Sequence, residues 1–481
     1  MPAPAATPPL DRPLSEAAVG ARLDHAPWQR LHTVILLALG AGWLFDSFEV
    51  QMFSSAVGPL GDHFGASTFQ RDAVLAVWLS GILLGALSGG RLADRFGRRR
   101  IFVVTLLWYA GFTVLTGLAP SLGAVYGFRL LAALGVGAEY AVISTAIAEF
   151  MPARVRGKAN AAVMNFWPAG AILAGALAYL ALDTLALSSA TSWRYMFVLG
   201  GSLALVVLVF RRRIPESPRW LVAHGRYVEA ERVVREMEAG EPSETGLGPI
   251  AVMIQPSVRS GPGFGELITH YPGRLALGAL LDLAEAFGYY GLFALLSVVV
   301  LPQVHISQAD IPVFYIVGNV GGLAGGLVMA SLFDRVGHSR MVAATYLSSA
   351  VGVALLAAAT ATGNAVWVTV AFVVVNAFGT AAWTSAYPTF TELFPTHLRG
   401  VGVGTSVAVG RIGAIVGTLL LPSVAIRLGP GASCLLVAAC WLAGATGISL
   451  YAWRGGLDGA RRPLELLAPR RVAAVAGQEA V

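Results

Sequence analysis

The chain has 481 residues, 56% of them hydrophobic and only 12% charged, with 56 glycines and a formal net charge of +6. Soluble domains carry about twice that charged fraction and lack such long apolar runs, so a string of soluble domains is excluded. The positive charge is gathered in short turns between apolar runs, which topology explains and nucleic-acid binding does not.

In chain order, residues 1–31 are polar and proline-rich and lack the charged start and short apolar core of a signal peptide. Six apolar runs follow at 33–57, 72–90, 101–119, 122–148, 159–182 and 194–211. Each has the roughly 20 residues needed to cross hydrocarbon. Residues 212–273 form the one long polar segment. It holds PESPRW (Pro215–Trp220), and Leu221, Val228, Val233, Val234 and Met237 then give an amphipathic pattern that predicts a linker helix. Six more runs lie at 274–301, 311–333, 341–361, 366–391, 401–424 and 431–453, before a short basic tail at 454–481. The reading is an all-α membrane protein of twelve transmembrane helices in two six-helix bundles, 32–211 and 274–453. Cys434 and Cys440 fall on different faces of the last run and read as apolar filler.

Orientation follows from the 33 lysines and arginines. With the N-terminus inside, only Arg71, Arg194 and Arg427 fall outside, and Arg129 and Arg411 lie within spans. The rest, Arg211 among them, are cytoplasmic, as the positive-inside rule requires of a plasma or bacterial inner membrane. Both termini are then cytoplasmic.

Three matches at one period of about 240 residues imply a duplication. Gly89–Arg100, GGRLADRFGRRR, returns as Ala330–Arg340, ASLFDRVGHSR. Glu149–Gly157, EFMPARVRG, returns as Glu392–Gly400, ELFPTHLRG. Asp46 and Glu49 in span one return as Asp282 and Glu285 in span seven.

These motifs, with Arg129-x5-Gly135-Val136-Gly137 and PESPRW, resemble the major facilitator superfamily over roughly residues 30–455, and its sugar-porter-like branches in particular. The resemblance implies a secondary transporter in which two six-helix halves rock about a central site. Sugar porters carry a QQxSGxN-like stretch in span seven; here it reads LLDLAEAFGYYGLF. With FDSFEVQMFS and GRIGAIVG, the chain is more similar to the organic-acid, niacin-type and synaptic-vesicle-like relatives.

Charges inside spans are expensive and mark function. The i, i+3 spacing puts Asp46 with Glu49, and Asp282 with Glu285, on one helix face. There, repulsion and desolvation suit one acid of each pair to carrying a proton. By resemblance to proton-linked sugar porters, Asp46 and Arg129 form the proton-coupling pair. Arg411 needs a buried anion, supplied either by an internal carboxylate or by the substrate. Glu139, after the Gly135/Gly137 packing site, is an interhelix partner or a ligand contact. Aromatic residues that could wall a flat ligand are Trp43, Phe48, Phe166, Trp167, Tyr289, Tyr290, Trp383 and Tyr387, with Asn165 and Asn376 as amide candidates.

The repeated charged turns predict an inner gate. Gly90, Asp94, Arg95, Gly97, Arg98, Glu149 and Arg156 face Asp334, Arg335, Gly337, Glu392 and Arg399, with ion pairs between the halves expected. No Walker-type sequence, metal-ligand spacing, cofactor motif or catalytic constellation is present, so neither a pump nor an enzyme is expected. The expected function is proton-coupled symport of a small organic anion, aromatic or another carboxylate. The alternatives are a sugar or polyol porter and, against the short tail, a non-transporting sensor. The expected partners are the substrate, protons and the bilayer, with no nucleic acid, and a monomer suffices because one chain carries both halves.

Overall fold

A computed structural model describes residues 16–181, 188–238, 263–306, 310–395 and 398–456. The N-terminal stretch 1–15, the linker stretch 239–262, the tail beyond 456 and the side chain of Asp334 lie outside the described residues. In the N-terminal half the helices are α1 (Glu16–His25), α2 (Arg30–Phe64), α3 (Thr68–Phe96), α4 (Arg98–Gly117), α5 (Leu122–Phe150), α6 (Arg156–Met164), α7 (Phe166–Tyr179) and α8 (Ser189–Arg211). The linker holds α9 (Pro218–Ala223), α10 (Tyr227–Met237) and α11 (Gly263–His270). The C-terminal half comprises α12 (Pro272–Leu295), a π-helical turn (Leu296–Val300), α13 (Leu301–Gln303), α14 (Ile311–Val336), α15 (His338–Ala361), α16 (Ala365–Leu393), α17 (Arg399–Leu428) and α18 (Pro430–Trp453).

Twelve stretches among the described residues are long and apolar enough to cross a membrane, with α6 and α7 sharing one span and α12 through α13 another. Their outward faces carry exposed Leu107, Leu205, Leu355 and Leu435, side chains that suit lipid and would be a liability in water. The first span is longer than its apolar run predicts, because α2 continues through Pro59 to Phe64. The linker differs too. In place of one helix, the stretch 218–237 folds as two, since Pro218 and the Ser217 cap start α9 and Gly225, at φ 72°, turns the chain into α10, and α11 adds a third.

The charged turn repeats for a stereochemical reason. Gly97 and Gly337 sit at φ 93° and 100°, and each is a single residue joining two long helices, α3 to α4 and α14 to α15. Only glycine adopts that backbone without strain.

Glycine stripes set the packing inside each half. A Cβ on Gly85 or Gly89 would sit 2.2 or 2.3 Å from the Leu134 or Ala138 carbonyl of α5. In the other half, a Cβ on Gly325 would sit 2.2 Å from the Ala377 carbonyl of α16. α3 on α5 and α14 on α16 are therefore the same backbone-to-backbone contact, made twice. The halves meet along two seams. In one, α3 lies on α17, where Gly90 would place a Cβ 2.6 Å from the Gly400 carbonyl. In the other, α6 and α7 lie on α14, with Gly326 against Asn165 and Gly175 against Ile316.

Candidate transport site

At the centre, between the seams, seven rings from both halves converge. Trp43 of α2 lies 4.8 Å from Tyr140 of α5, 5.6 Å from Trp167 of α7 and 5.7 Å from Tyr387 of α16. Trp167 stacks at 6.0 Å on Trp383, which in turn meets Tyr289, Tyr290 and Tyr387. The Trp167 indole donates to the Tyr289 hydroxyl across the halves at 3.2 Å. These rings touch one another, so a ligand enters only when the halves part.

Arg411 of α17 projects into this box and is fully buried. Its guanidinium lies 5.6 Å from the Tyr140 ring, 5.3 Å from Tyr290 and 5.4 Å from Trp383, and it donates to the Tyr290 hydroxyl at 3.1 Å. Such faces stabilise a desolvated cation but do not neutralise it. Its acid is Asp282, at 3.6 Å, too far for a hydrogen bond. Among the described residues, neither carboxylate oxygen of Asp282 nor Nε and Nη2 of Arg411 has a hydrogen-bond partner. Glu285, one turn on from Asp282, accepts from the Tyr346 hydroxyl at 3.2 Å.

Among the described residues, two ion pairs of the N-terminal half are fully buried, and they correct the sequence reading. Arg129 pairs with Glu49 at 2.7 Å and not with Asp46; Thr113 also donates to Glu49. The rings of Phe53, Trp78 and Phe197 wall this guanidinium. Asp46 is fully buried, with no hydrogen-bond partner among the described residues. Glu139 is held by Arg211, which donates to both of its oxygens and to the Phe102 carbonyl. Arg211 therefore belongs to the bundle core and not to a cytoplasmic loop. Gly42 makes the room, since a Cβ there would overlap the guanidinium at 1.8 Å.

Other candidates sit away from the box. Phe48 stacks on Phe45, and Phe166 packs over Gly40. Asn165 donates to the Ala161 carbonyl beside Gly326. Asn376 is the exception: together with Tyr289 of the box, Phe293, Ser349, Phe372 and Trp441 it lines a small adjoining cavity, whose volume of about 20 Å³ admits roughly one water. Tyr140, Tyr346 and Arg211 went unread in the sequence. Tyr140 was legible as the neighbour of Glu139, whereas Arg211 is masked by the two arginines after it.

The charged ends pair differently from expectation. Arg98 bridges Asp94 and Glu149 at 2.8 Å each, all within the N-terminal half, and His338 pairs with Glu392 within the other. Glu216 of PESPRW accepts from the backbone N–H of Arg98 at 2.7 Å, an anion at the positive start of α4. Arg399 donates to the Thr391 carbonyl, and Arg156 pairs with Asp24 of α1. Arg95 and Arg335 are exposed. Between the halves at this end, Gly90 packs backbone to backbone on Gly400, with the Asp94 carboxylate beside the start of α17. A carboxylate there is favoured by the helix dipole. Asp94→Asn or Glu149→Gln is expected to loosen this end and raise labelling of cysteines introduced along its seam several-fold. Unchanged labelling would contradict the gating role.

α1 is an addition that the sequence did not reveal. Its Arg22 donates to Glu231 at 2.6 Å and to Glu238 at 2.6 Å, tying the N-terminus to α10. Partial burial pushes the Glu231 carboxyl up, but hydrogen bonds from Arg22 and Arg235 outweigh it and hold it below its ordinary range.

The sequence profile of the family described as "Sugar (and other) transporter" matches residues 40–451. The chain is 28% identical to the niacin transporter NiaP of Acinetobacter baylyi, over 83% of this chain and 89% of that protein. It is also 28% identical to the putative metabolite transport protein YyaJ of Bacillus subtilis, over 90% and 94%. In fold it is similar to the E. coli proton:xylose symporter XylE bound to 6-bromo-6-deoxy-D-glucose, with a TM-score of 0.75, 20% identity and coverage of 91% and 98%.

Proposed function

This chain belongs to the sugar (and other) transporter family of the major facilitator superfamily, and on that premise we propose that it carries a small aromatic carboxylate across the membrane together with a proton, by alternating access. The observation that carries the reading is Arg411. It is a buried guanidinium between the halves, walled by three flat rings and held by its acid only at 3.6 Å. A planar anion suits both features, because its carboxylate can fork onto the guanidinium while its ring stacks on the indoles. Niacin, the cargo named for one relative, is such a molecule.

Charge counting supports the proton. Around the centre of the bundles, Asp46, Glu49 and Glu139 are buried with Arg129 and Arg211 in one half, and Asp282 and Glu285 with Arg411 in the other. Counted over these groups alone, each half holds one acid more than it has cations; other buried charges, among them Asp24, Arg98, Glu149, Arg156 and Arg399, lie at the charged helix ends. An uncompensated charge at the centre costs several kcal/mol, so one acid of each set carries a proton, and acids held so close to that balance suit proton coupling. A sugar or polyol would call for amide partners beside hydroxyls, whereas the seven rings and one cation of the box offer four tyrosine hydroxyls and no amide. By the positive-inside rule the arginine-rich end and both termini lie in the cytoplasm, with the protein in the bacterial inner membrane.

The test is uptake of labelled nicotinate, benzoate and xylose into proteoliposomes, with and without an inward proton gradient. Acid uptake should rise several-fold with the gradient while xylose stays outside. Uptake of xylose alone, or acid uptake indifferent to the gradient, would contradict the proposal.

A further inference from the structure

Resting on the reading of Arg411 as the anion site, we propose that Asp282 is the coupling carboxylate, and that it and the substrate's carboxylate take turns on the Arg411 guanidinium. Both side chains are fully buried, yet they stop at 3.6 Å instead of closing into the fork that arginine and a carboxylate form when nothing else is to fit. Nε of Arg411, its Nη2, which is the atom 3.6 Å from Asp282, and both Asp282 oxygens have no hydrogen-bond partner among the described residues. The site therefore has donors to spare and an acid that is not committed to them. Gly410 holds the arrangement open, because any Cβ there would lie 1.6 Å from Asp282 Oδ2.

The exchange keeps the buried charge constant. A substrate anion forks onto Arg411; Asp282, released, takes one proton from the side the site then faces and becomes a neutral acid. After the halves rock, the anion and the proton leave together, and the Asp282 carboxylate returns to the guanidinium. With Glu285 keeping its own proton throughout, one carboxylate answers one guanidinium in either state, and the alternatives, two anions or none, both leave uncompensated charge in hydrocarbon. That penalty enforces one proton per anion. The groups facing Asp282 are Glu285 and Tyr290 on its own helix, Arg411 on α17, Tyr387 on α16 and Tyr346 on α15; α18 brings Trp441, which does not titrate. Glu49 is unsuited to this exchange. Arg129 holds it at hydrogen-bond distance, inside rings contributed only by the N-terminal half.

The experiment measures binding of labelled nicotinate and benzoate to the full chain in detergent between about pH 6 and pH 8, where both probes are anions. In unaltered protein, affinity should fall up to about tenfold per pH unit as pH rises, and each anion bound should take up one proton from a weakly buffered solution. Asp282→Asn should bind at every pH about as the unaltered protein does at the acid end, with no proton taken up. A wild-type pH slope retained in Asp282→Asn overturns the exchange and leaves the anion site standing. Proton uptake of zero by the unaltered protein overturns it without recourse to any variant. No binding of either acid at any pH overturns the anion reading, and the exchange with it.

Discussion

Arg411→Lys lowers nicotinate uptake about a hundredfold or more, while the thermal unfolding midpoint in detergent barely moves. Lysine keeps the positive charge, so Asp282 is not abandoned. What lysine loses is the planar fork that meets a carboxylate with two parallel hydrogen bonds, and the flat face that lies against Tyr290 and Trp383. Each charge-assisted hydrogen bond is worth about 1.5–3 kcal/mol, and ~2.7 kcal/mol is already a hundredfold. Arg411→Gln should be as inactive, and it should also unfold earlier, because it strands the acid. Uptake within threefold of the unaltered protein in Arg411→Lys would mean that the substrate does not meet this guanidinium.

Arg211→Met destabilises the N-terminal half by about 3–5 kcal/mol, because it leaves the Glu139 carboxylate buried without its cation. The double variant Glu139→Leu/Arg211→Met should regain most of that loss, since removing both partners leaves an apolar site of similar volume. The same double variant should still transport, as the pair lies outside the aromatic box. Denaturation midpoints of the three proteins test the first two statements, and uptake by the double variant tests the third. Transport abolished in a double variant of native stability would return Glu139 to the substrate.

The architecture was legible because lipid makes it so. A span must be apolar for about 20 residues, its flanking turn must be charged, and the duplication writes the charged turn twice. Gly97 and Gly337 keep their places because a one-residue turn between long helices needs positive φ. The partners of the buried charges were not legible. Asp46 and Glu49 are one helical turn apart, so sequence spacing offers both to Arg129. The choice falls to Glu49 because Thr113 and the rings around Arg129 converge there. Arg211 looked like the first residue of a basic loop, and only the Gly42 gap and Glu139 across from it mark it as core. Likewise Asp94 and Glu149 pair within their own half, because Arg98 lies one turn from Asp94 and beside Glu149, and Glu392 pairs with His338 in the other.

The most direct measurement is a structure of the protein with 5-bromonicotinate, in which the bromine's anomalous signal fixes the ring and the density fixes the carboxylate. The account predicts the ring between Trp167 and Trp383, the carboxylate about 2.7–2.9 Å from the Arg411 guanidinium, and Asp282 displaced from it. Bromine outside the aromatic box, or Arg411 left on Asp282 with the ligand elsewhere, would contradict it.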